Sequence, residues 1–405
     1  MPPDSISAPC AAEDARREAS LLIPFTLGHL ANDWAPCALW LIVPAIAAAM
    51  GLSPAEVGLL FAIHSIGSAL AFMPAGVLAD RVSNRGRLLA LTFWWVSIGY
   101  VIASFAPGFW SLALLLAVAG MGDAAWHPIA TGVLTQQMPD RRAQALGIHA
   151  VGGSLAEVLA PLCVGFLLAY VDWRGALQIS VIPTVLMGIV FLRVAKHVPP
   201  SGHGSITRAD LRLLWRAWRR PAGLMLIAMM GLYNMAGVAL LAMTPLFLMT
   251  VHGLSPAATG VAFSLMVLIG ALSQPFVGRL SDRIGRRPVF VAGNAVAAFA
   301  AVGIALAPGP WLAIAAIVVT ATVLVGIRSA VLAAAVDFSG RREATTLGFA
   351  FAVMDGIGAL GAVAAGAVGN IDLHYSFMLA AGLSALAAGL ALGAPFTMSS
   401  GSGGK

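Results

Sequence analysis

Two pairs of residues in this sequence could hold and pass a proton. His29 and Asp33 stand four apart, and so do Asp123 and His127. In a helix that spacing puts both side chains on one face. Each pair lies inside a long apolar run, where an ionisable group is costly and by default marks function. Aspartate and histidine are the types that take up and release protons there. His29 reads either as part of this chemistry or as an interfacial residue bonded to backbone. Glu157 adds a third carboxylate, as a proton carrier or as a buried structural partner; Asp355 is a fourth, a substrate-binding candidate or an internal partner of Arg328. Arg328 keeps its charge. It must meet an anion, either a substrate or an internal carboxylate such as Asp355 or Asp123. Asn32, Trp34, Trp126, Tyr233 and Asn234 stand beside these residues and offer hydrogen bonds and apolar walls to a substrate. His64 and His149 read as packing or helix–helix hydrogen-bonding groups.

Composition says what surrounds these groups. The chain has 405 residues, 60% hydrophobic and 10% charged, with a mean hydropathy of +0.90. Soluble domains carry about 25% charged residues, so this chain needs lipid as its solvent. Cys10, Cys37 and Cys163 are scattered, which suggests neither a disulfide framework nor a zinc site. There is no Gly-Lys-Ser/Thr phosphate loop, no metal-ligand spacing and no nucleophile motif, so the chain reads as neither an enzyme nor a metal or cofactor protein. The net charge of +6 does not point to nucleic acid, because the basic residues sit in short loops.

A membrane helix needs about 20 mostly apolar residues. The sequence predicts spans at 21–50, 54–79, 87–106, 110–137, 143–170 and 175–195, and again at 221–250, 256–280, 288–307, 310–336, 344–369 and 375–397. Residues 1–20 read as a retained cytoplasmic tail, 21–195 and 221–397 as two six-helix bundles, 196–220 as a cytoplasmic linker and 398–405 as a flexible end. Within the linker, Leu211, Leu214, Trp215 and Trp218 share one face of a basic amphipathic helix, expected on the membrane surface. With both termini inside, all of the 23 Lys and Arg residues except Arg174 and Arg328 fall in inner segments. That bias fixes a multi-pass protein with cytoplasmic ends.

The two bundles repeat one another. Asp80 and Asp282 differ by 202, and the same offset aligns Leu52-Ser53-Pro54-Ala55 with Leu254-Ser255-Pro256-Ala257. Such agreement marks parallel copies of one unit. Gly278-Arg279-Leu280-Ser281-Asp282-Arg283-Ile284-Gly285-Arg286-Arg287 resembles the signature loop of the major facilitator superfamily. Gly76 through Asp80 and Arg81 repeats it with an inserted residue near Ser83-Asn84. The resemblance implies a twelve-helix, all-α secondary transporter whose first, fourth, seventh and tenth spans line a central cavity. Asp33, Asp123, His127, Asn234 and Arg328 lie on those spans. It also implies that Gly76, Asp80, Arg81, Gly278, Asp282, Arg283, Arg286 and Arg287 gate the cytoplasmic side; read without it, these turns are orientation signals.

A narrower resemblance lies in Gly28-His29-Leu30-Ala31-Asn32-Asp33-Trp34, in Gly122-Asp123-Ala124-Ala125-Trp126-His127-Pro128, and in Gly152-Gly153. These are similar to the fosmidomycin-resistance subgroup of bacterial drug exporters. Gly152-Gly153-Ser154 and Ala160-Pro161 also resemble the fifth-helix antiporter signature; the other reading is close packing with a proline kink. The resemblance implies proton-coupled efflux of a small amphiphilic or anionic compound, as in antibiotic resistance. A monomer in the bacterial inner membrane would run on the proton gradient with no cofactor. Uptake of an organic anion with protons, and a non-transporting sensor or assembly partner, are the alternatives.

Overall fold

The computed structural model describes residues 8–138, 141–200, 212, 215, 216, 218–339 and 343–393. The helices are α1 (Ala8–Met50), α2 (Pro54–Arg81), α3 (Arg85–Ser104), α4 (Phe109–Gln137), α5 (Arg142–Leu167), α6 (Trp173–Ser180) and α7 (Ile182–Val194), then α8 (Pro221–Thr250), α9 (Pro256–Ile284), α10 (Arg286–Ala305), α11 (Pro310–Ser339), α12 (Glu343–Gly369) and α13 (Leu373–Gly393). Val181 joins α6 and α7 into one span. Among the described residues, twelve helices are long and apolar enough to cross a bilayer, each satisfying its own backbone as lipid requires.

The repeat is visible in how the helices start. Gly51 and Gly253 both take φ 65°, a conformation glycine adopts without cost. Ser53 and Ser255 then cap α2 and α9, accepting from the N–H groups of Glu56 and Ala258. Asp172 caps α6 through the Gly175 N–H, and Asp372 accepts from the His374 N–H at the start of α13.

Span boundaries differ from the expected ones where charge meets a helix end. The third and ninth spans begin two residues early, at Arg85 and Arg286. The Asn84 side chain caps the first of these, and Gly285, at φ 96°, breaks the chain before the second. Hydropathy stops α2 and α9 too soon as well, because backbone hydrogen bonding runs on through charged residues to Arg81 and Ile284. Helix α1 begins at Ala8, so residues 8–20, expected as a polar tail, continue its helix. The linker helix lies mostly outside the described residues, as do 1–7 and 394–405. Its Trp218 is buried against Phe338 and Phe349, with ring centroids 5.1 and 5.0 Å away. That side chain anchors the linker to the second half instead of facing the membrane surface.

The two halves meet where α2 packs along α12 and α5 along α9. At the end of the molecule bearing Gly51 and Gly253 these seams are backbone against backbone. A Cβ added to Gly58 would sit 2.2 Å from the Ala362 carbonyl oxygen, and one on Gly165 would sit 3.0 Å from Gly260 Cα. Large apolar side chains such as Phe105, Trp110, Phe299 and Trp311 point outward, as a lipid-facing surface demands.

Candidate functional site

Helices α1 and α4 run antiparallel, and their charged pairs are written in opposite order. Reversed order on antiparallel helices brings like level with like, so His29 meets His127 while Asp33 meets Asp123. The rings of His29 and His127 lie 5.2 Å apart, edge to face. Asn32 ties the carboxylates together: its Nδ2 donates to Asp123 Oδ1 at 2.6 Å, to the Asp123 carbonyl at 3.2 Å and to Asp33 Oδ1 at 3.3 Å. His29 Nε2 faces Asp33 Oδ2 at 3.2 Å, and His127 Nε2 faces Asp33 Oδ1 at 3.6 Å and Asp123 Oδ1 at 3.8 Å. His149, from α5, stacks on His29 at 4.4 Å and accepts from its Nδ1 through the backbone carbonyl at 2.9 Å.

Glycines make room for this arrangement. A Cβ on Gly152 would lie 2.1 Å from the Thr26 carbonyl oxygen, and one on Gly153 would lie 2.6 Å from His29 Nε2. The Gly-rich stretch of α5 is therefore a close-packing face that seats His29. Pro128, one residue past His127, interrupts the backbone ladder of α4.

Several expected substrate contacts have other duties. Asn32 is fully buried and positions the aspartates. Trp126 is fully buried between Phe93, His29 and His149, so it packs behind the cluster and is no cavity wall. Tyr233 is buried too, and its hydroxyl donates to the Leu324 carbonyl at 2.6 Å. Asn234 Nδ2 donates to the Met354 carbonyl at 2.6 Å. Trp34 and Asp355 are half-buried. His64 bonds the Tyr100 hydroxyl at 2.8 Å, as a packing histidine would.

A second charged group joins the halves. Arg328 Nη1 of α11 lies 3.9 Å from Glu157 Oε1 of α5, and both side chains are 40% exposed. The guanidinium also stands 6.0 Å from the centre of the Phe351 ring. The carboxylate that sequence reasoning offered to Arg328 was Asp355 or Asp123; the ion pair within 4 Å is with Glu157 instead.

Arg286 holds the second charged turn through Asp282, both among the expected gate residues, and Arg85, not among them, holds the first. Arg81, Arg283 and Arg287 are exposed, and the side chain of Asp80 lies outside the described part. Arg85 is buried and donates to Gln136 Oε1 at 2.6 Å and to the carbonyls of Pro199 and Pro200 at 3.1 and 3.0 Å. Arg286 binds Asp282, Asp337 and Ser281. Gly76 and Gly278 pack against Pro128 and Ser329. The sequence signal for Arg85 is its position one residue past the equivalent of Arg286, as the inserted residue near Ser83-Asn84 requires.

A family model for the Major Facilitator Superfamily matches residues 25–272 and 239–403. The chain belongs to that superfamily. Members of it are transporters, and this one is a multi-pass membrane transporter, not an enzyme. It is 28% identical over 263 residues to a probable 4-methylmuconolactone transporter of Cupriavidus pinatubonensis, a match covering 62% of this chain and 60% of that protein. It is 29% identical over 359 residues to a probable nitrate/nitrite transporter of Mycobacterium tuberculosis, covering 85% of this chain and 87% of that one. In fold it is similar to a bacterial homologue of the human lysosomal transporter Spinster, solved in an inward-facing and occupied conformation. The TM-score is 0.81 at 20% identity, over 94% of this chain and 97% of the other.

Proposed function

We propose that this superfamily member moves a small organic anion together with protons, and that Arg328 and Glu157 couple the two. The observation that carries the reading is their loose, half-exposed ion pair across the halves. An anion entering the cavity competes with Glu157 for the guanidinium, while Phe351 offers an apolar face to the rest of the molecule. Glu157, left without its cation, takes up a proton. Binding of anion and proton thus helps rather than opposes one another, and such help is reciprocal. Co-binding makes a symporter. A monoanion moved with one proton carries no net charge. The nitrate/nitrite relative supports an anionic cargo. In this scheme the chain is a monomer in a bacterial inner membrane with both ends cytoplasmic, the basic turns setting its orientation. The Arg85 and Arg286 contacts hold the inner side shut in one state and part in the other, and the proton gradient is the energy source.

A second reading, proton-driven export of an amphiphile, is favoured by the Asp33–Asn32–Asp123 contact. There a cargo and protons would compete for the same carboxylates, which gives exchange.

The test is accumulation in proteoliposomes with a panel of organic anions and an imposed proton gradient. Symport predicts that an anion and protons enter together, and that clamping the voltage leaves the rate unchanged. Glu157→Gln should lose gradient-driven accumulation but keep anion exchange across the membrane, and Arg328→Ala should lose both. Full accumulation by Glu157→Gln would remove the pair from the mechanism. Protons leaving as a compound enters would establish the exchange reading.

A further inference from the structure

We infer that the cluster around Asp33 is a binding site for a divalent transition-metal cation. The sequence shows no metal-ligand spacing, because the donors come from two helices. Yet one donor atom each of His29, Asp33 and His127 lies within 4.8 Å of the others. Tetrahedral bonds of about 2.0–2.1 Å place neighbouring donors roughly 3.4 Å apart. The imidazole–carboxylate contacts have that spacing, 3.2 Å from His29 Nε2 to Asp33 Oδ2 and 3.6 Å from His127 Nε2 to Asp33 Oδ1; the carboxylate reaches one imidazole with each oxygen, and a cation between them would draw the two rings together.

Orientation points the same way. His29 Nδ1 bonds the His149 carbonyl, and a carbonyl only accepts, so Nδ1 carries the proton. In the neutral ring, Nε2 then presents a lone pair to Asp33 Oδ2. Two acceptors at that distance repel unless a positive charge lies between them. Metal-bound histidines are held in this way, with the far ring nitrogen donating to a carbonyl.

Charge agrees as well. Every ion-pair contact of Asp33 and Asp123 among the described residues is with a histidine. With neutral imidazoles, an ionised Asp33 leaves the cluster a negative charge that a dication offsets. Asn32 Oδ1, buried beside the cluster, has no hydrogen-bond partner among the described residues. The side chains of His29, Asp33 and His127 keep 14, 17 and 25% of their surface, which leaves a route in and positions open to water. Two imidazoles and a carboxylate suit zinc, cobalt, manganese or iron(II) rather than magnesium or calcium. This site shares no ligand with the Arg328–Glu157 pair, so it stands or falls separately from the symport reading.

The experiment is a cobalt(II) titration of the full chain in detergent, purified with a tag free of histidine and followed by visible absorption. One saturable cobalt per chain is expected, displaced by zinc and not by excess magnesium. His127→Gln and Asp33→Asn should each weaken binding at least about tenfold, the loss that even outer-shell changes bring. Should either variant fail to fold, His127→Cys keeps a donor in place. It should still bind cobalt and add a thiolate-to-cobalt charge-transfer band that the parent lacks. No saturable cobalt in the parent, undiminished binding in folded Gln and Asn variants, or a folded Cys variant without the new band each overturns the assignment.

Discussion

The two halves of the molecule are built on the same crossings and put different chemistry into them. In the first half, Asn32 of α1 reaches the Asp123 carbonyl of α4, and His29 reaches the His149 carbonyl of α5. In the second, Tyr233 of α8 reaches the Leu324 carbonyl of α11, and Asn234 reaches the Met354 carbonyl of α12. Each bond spans the same length of chain as its counterpart. The first half loads these crossings with carboxylates and imidazoles; the second makes the bonds themselves with neutral groups and carries its charge at Asp355, one residue past Met354, and at Arg328, facing the seam. The charged turns repeat the lesson. Arg85 reaches Gln136 where Arg286 reaches Asp337, a neutral partner in one half and an acid in the other. A duplicated frame supplies the geometry, and each copy is free to use it for a different purpose.

Mutations at paired positions separate frame from chemistry. The largest effect is expected at Asn32. Asn32→Leu removes the amide that donates to both aspartates, and a hydrogen bond to a charged group is worth about 1.5–3 kcal/mol. Transport in proteoliposomes should fall at least about 100-fold, from about 2.7 kcal/mol upward. Asn234→Leu, the asparagine 202 residues further along the repeat, should cost less than tenfold; equal losses would erase the distinction between the halves. Next come the turn arginines. Arg85→Ala removes a buried guanidinium and its bonds to Gln136 and to the Pro199 and Pro200 carbonyls and should cost about 1–3 kcal/mol, read as a fall of several degrees in the melting temperature in detergent. Arg286 pairs with aspartates that are 64 and 50% exposed, and Arg286→Ala should cost at most about 1 kcal/mol. Tyr233→Phe removes one bond inside the membrane, worth roughly 0.6 kcal/mol, and should leave transport intact while lowering the melting temperature slightly.

The smallest effect is expected at Asp372, outside the spans. Bonds from the His374 backbone N–H and ring hold its carboxyl below the usual range. A carboxylate lowered in the folded state stabilises at pH values above its unfolded value, and that help is lost as pH falls through the folded one. Asp372→Asn should therefore flatten the acid limb of the stability profile slightly. A steeper limb in the variant would reverse the sign.

The frame was legible in the sequence because membrane helices announce themselves. Length, hydropathy and the offset between the twin turns gave every span within a few residues. The charged groups were legible as well, since apolar runs make each one conspicuous. Their partners were not. Spacing along one helix brought His29 to Asp33, but the contacts with His127 and Asp123 depend on how α1 and α4 cross. The glycines of α5 that allow His29 to sit beside His149 read from sequence as either a signature or ordinary packing. Burial was the other blind spot. Trp126 and Tyr233 are residues a cavity could use, and only three-dimensional placement shows one behind the cluster and the other pinned to a carbonyl.

The seams at Gly58–Ala362 and Gly165–Gly260 have a consequence for timing. They close main chain onto main chain, so sealing that end freezes fewer side-chain rotamers than an interdigitated seam would, the Asn370 side chain, which accepts from the Ala55 N–H at 2.9 Å, being one of them. What is lost on parting is that bond together with dispersion and weak Cα–H contacts, each small and short-ranged. Such a joint resists little once it has begun to separate. The two ends of the transporter can then stand close in free energy, so that a single bound molecule tips the balance between them.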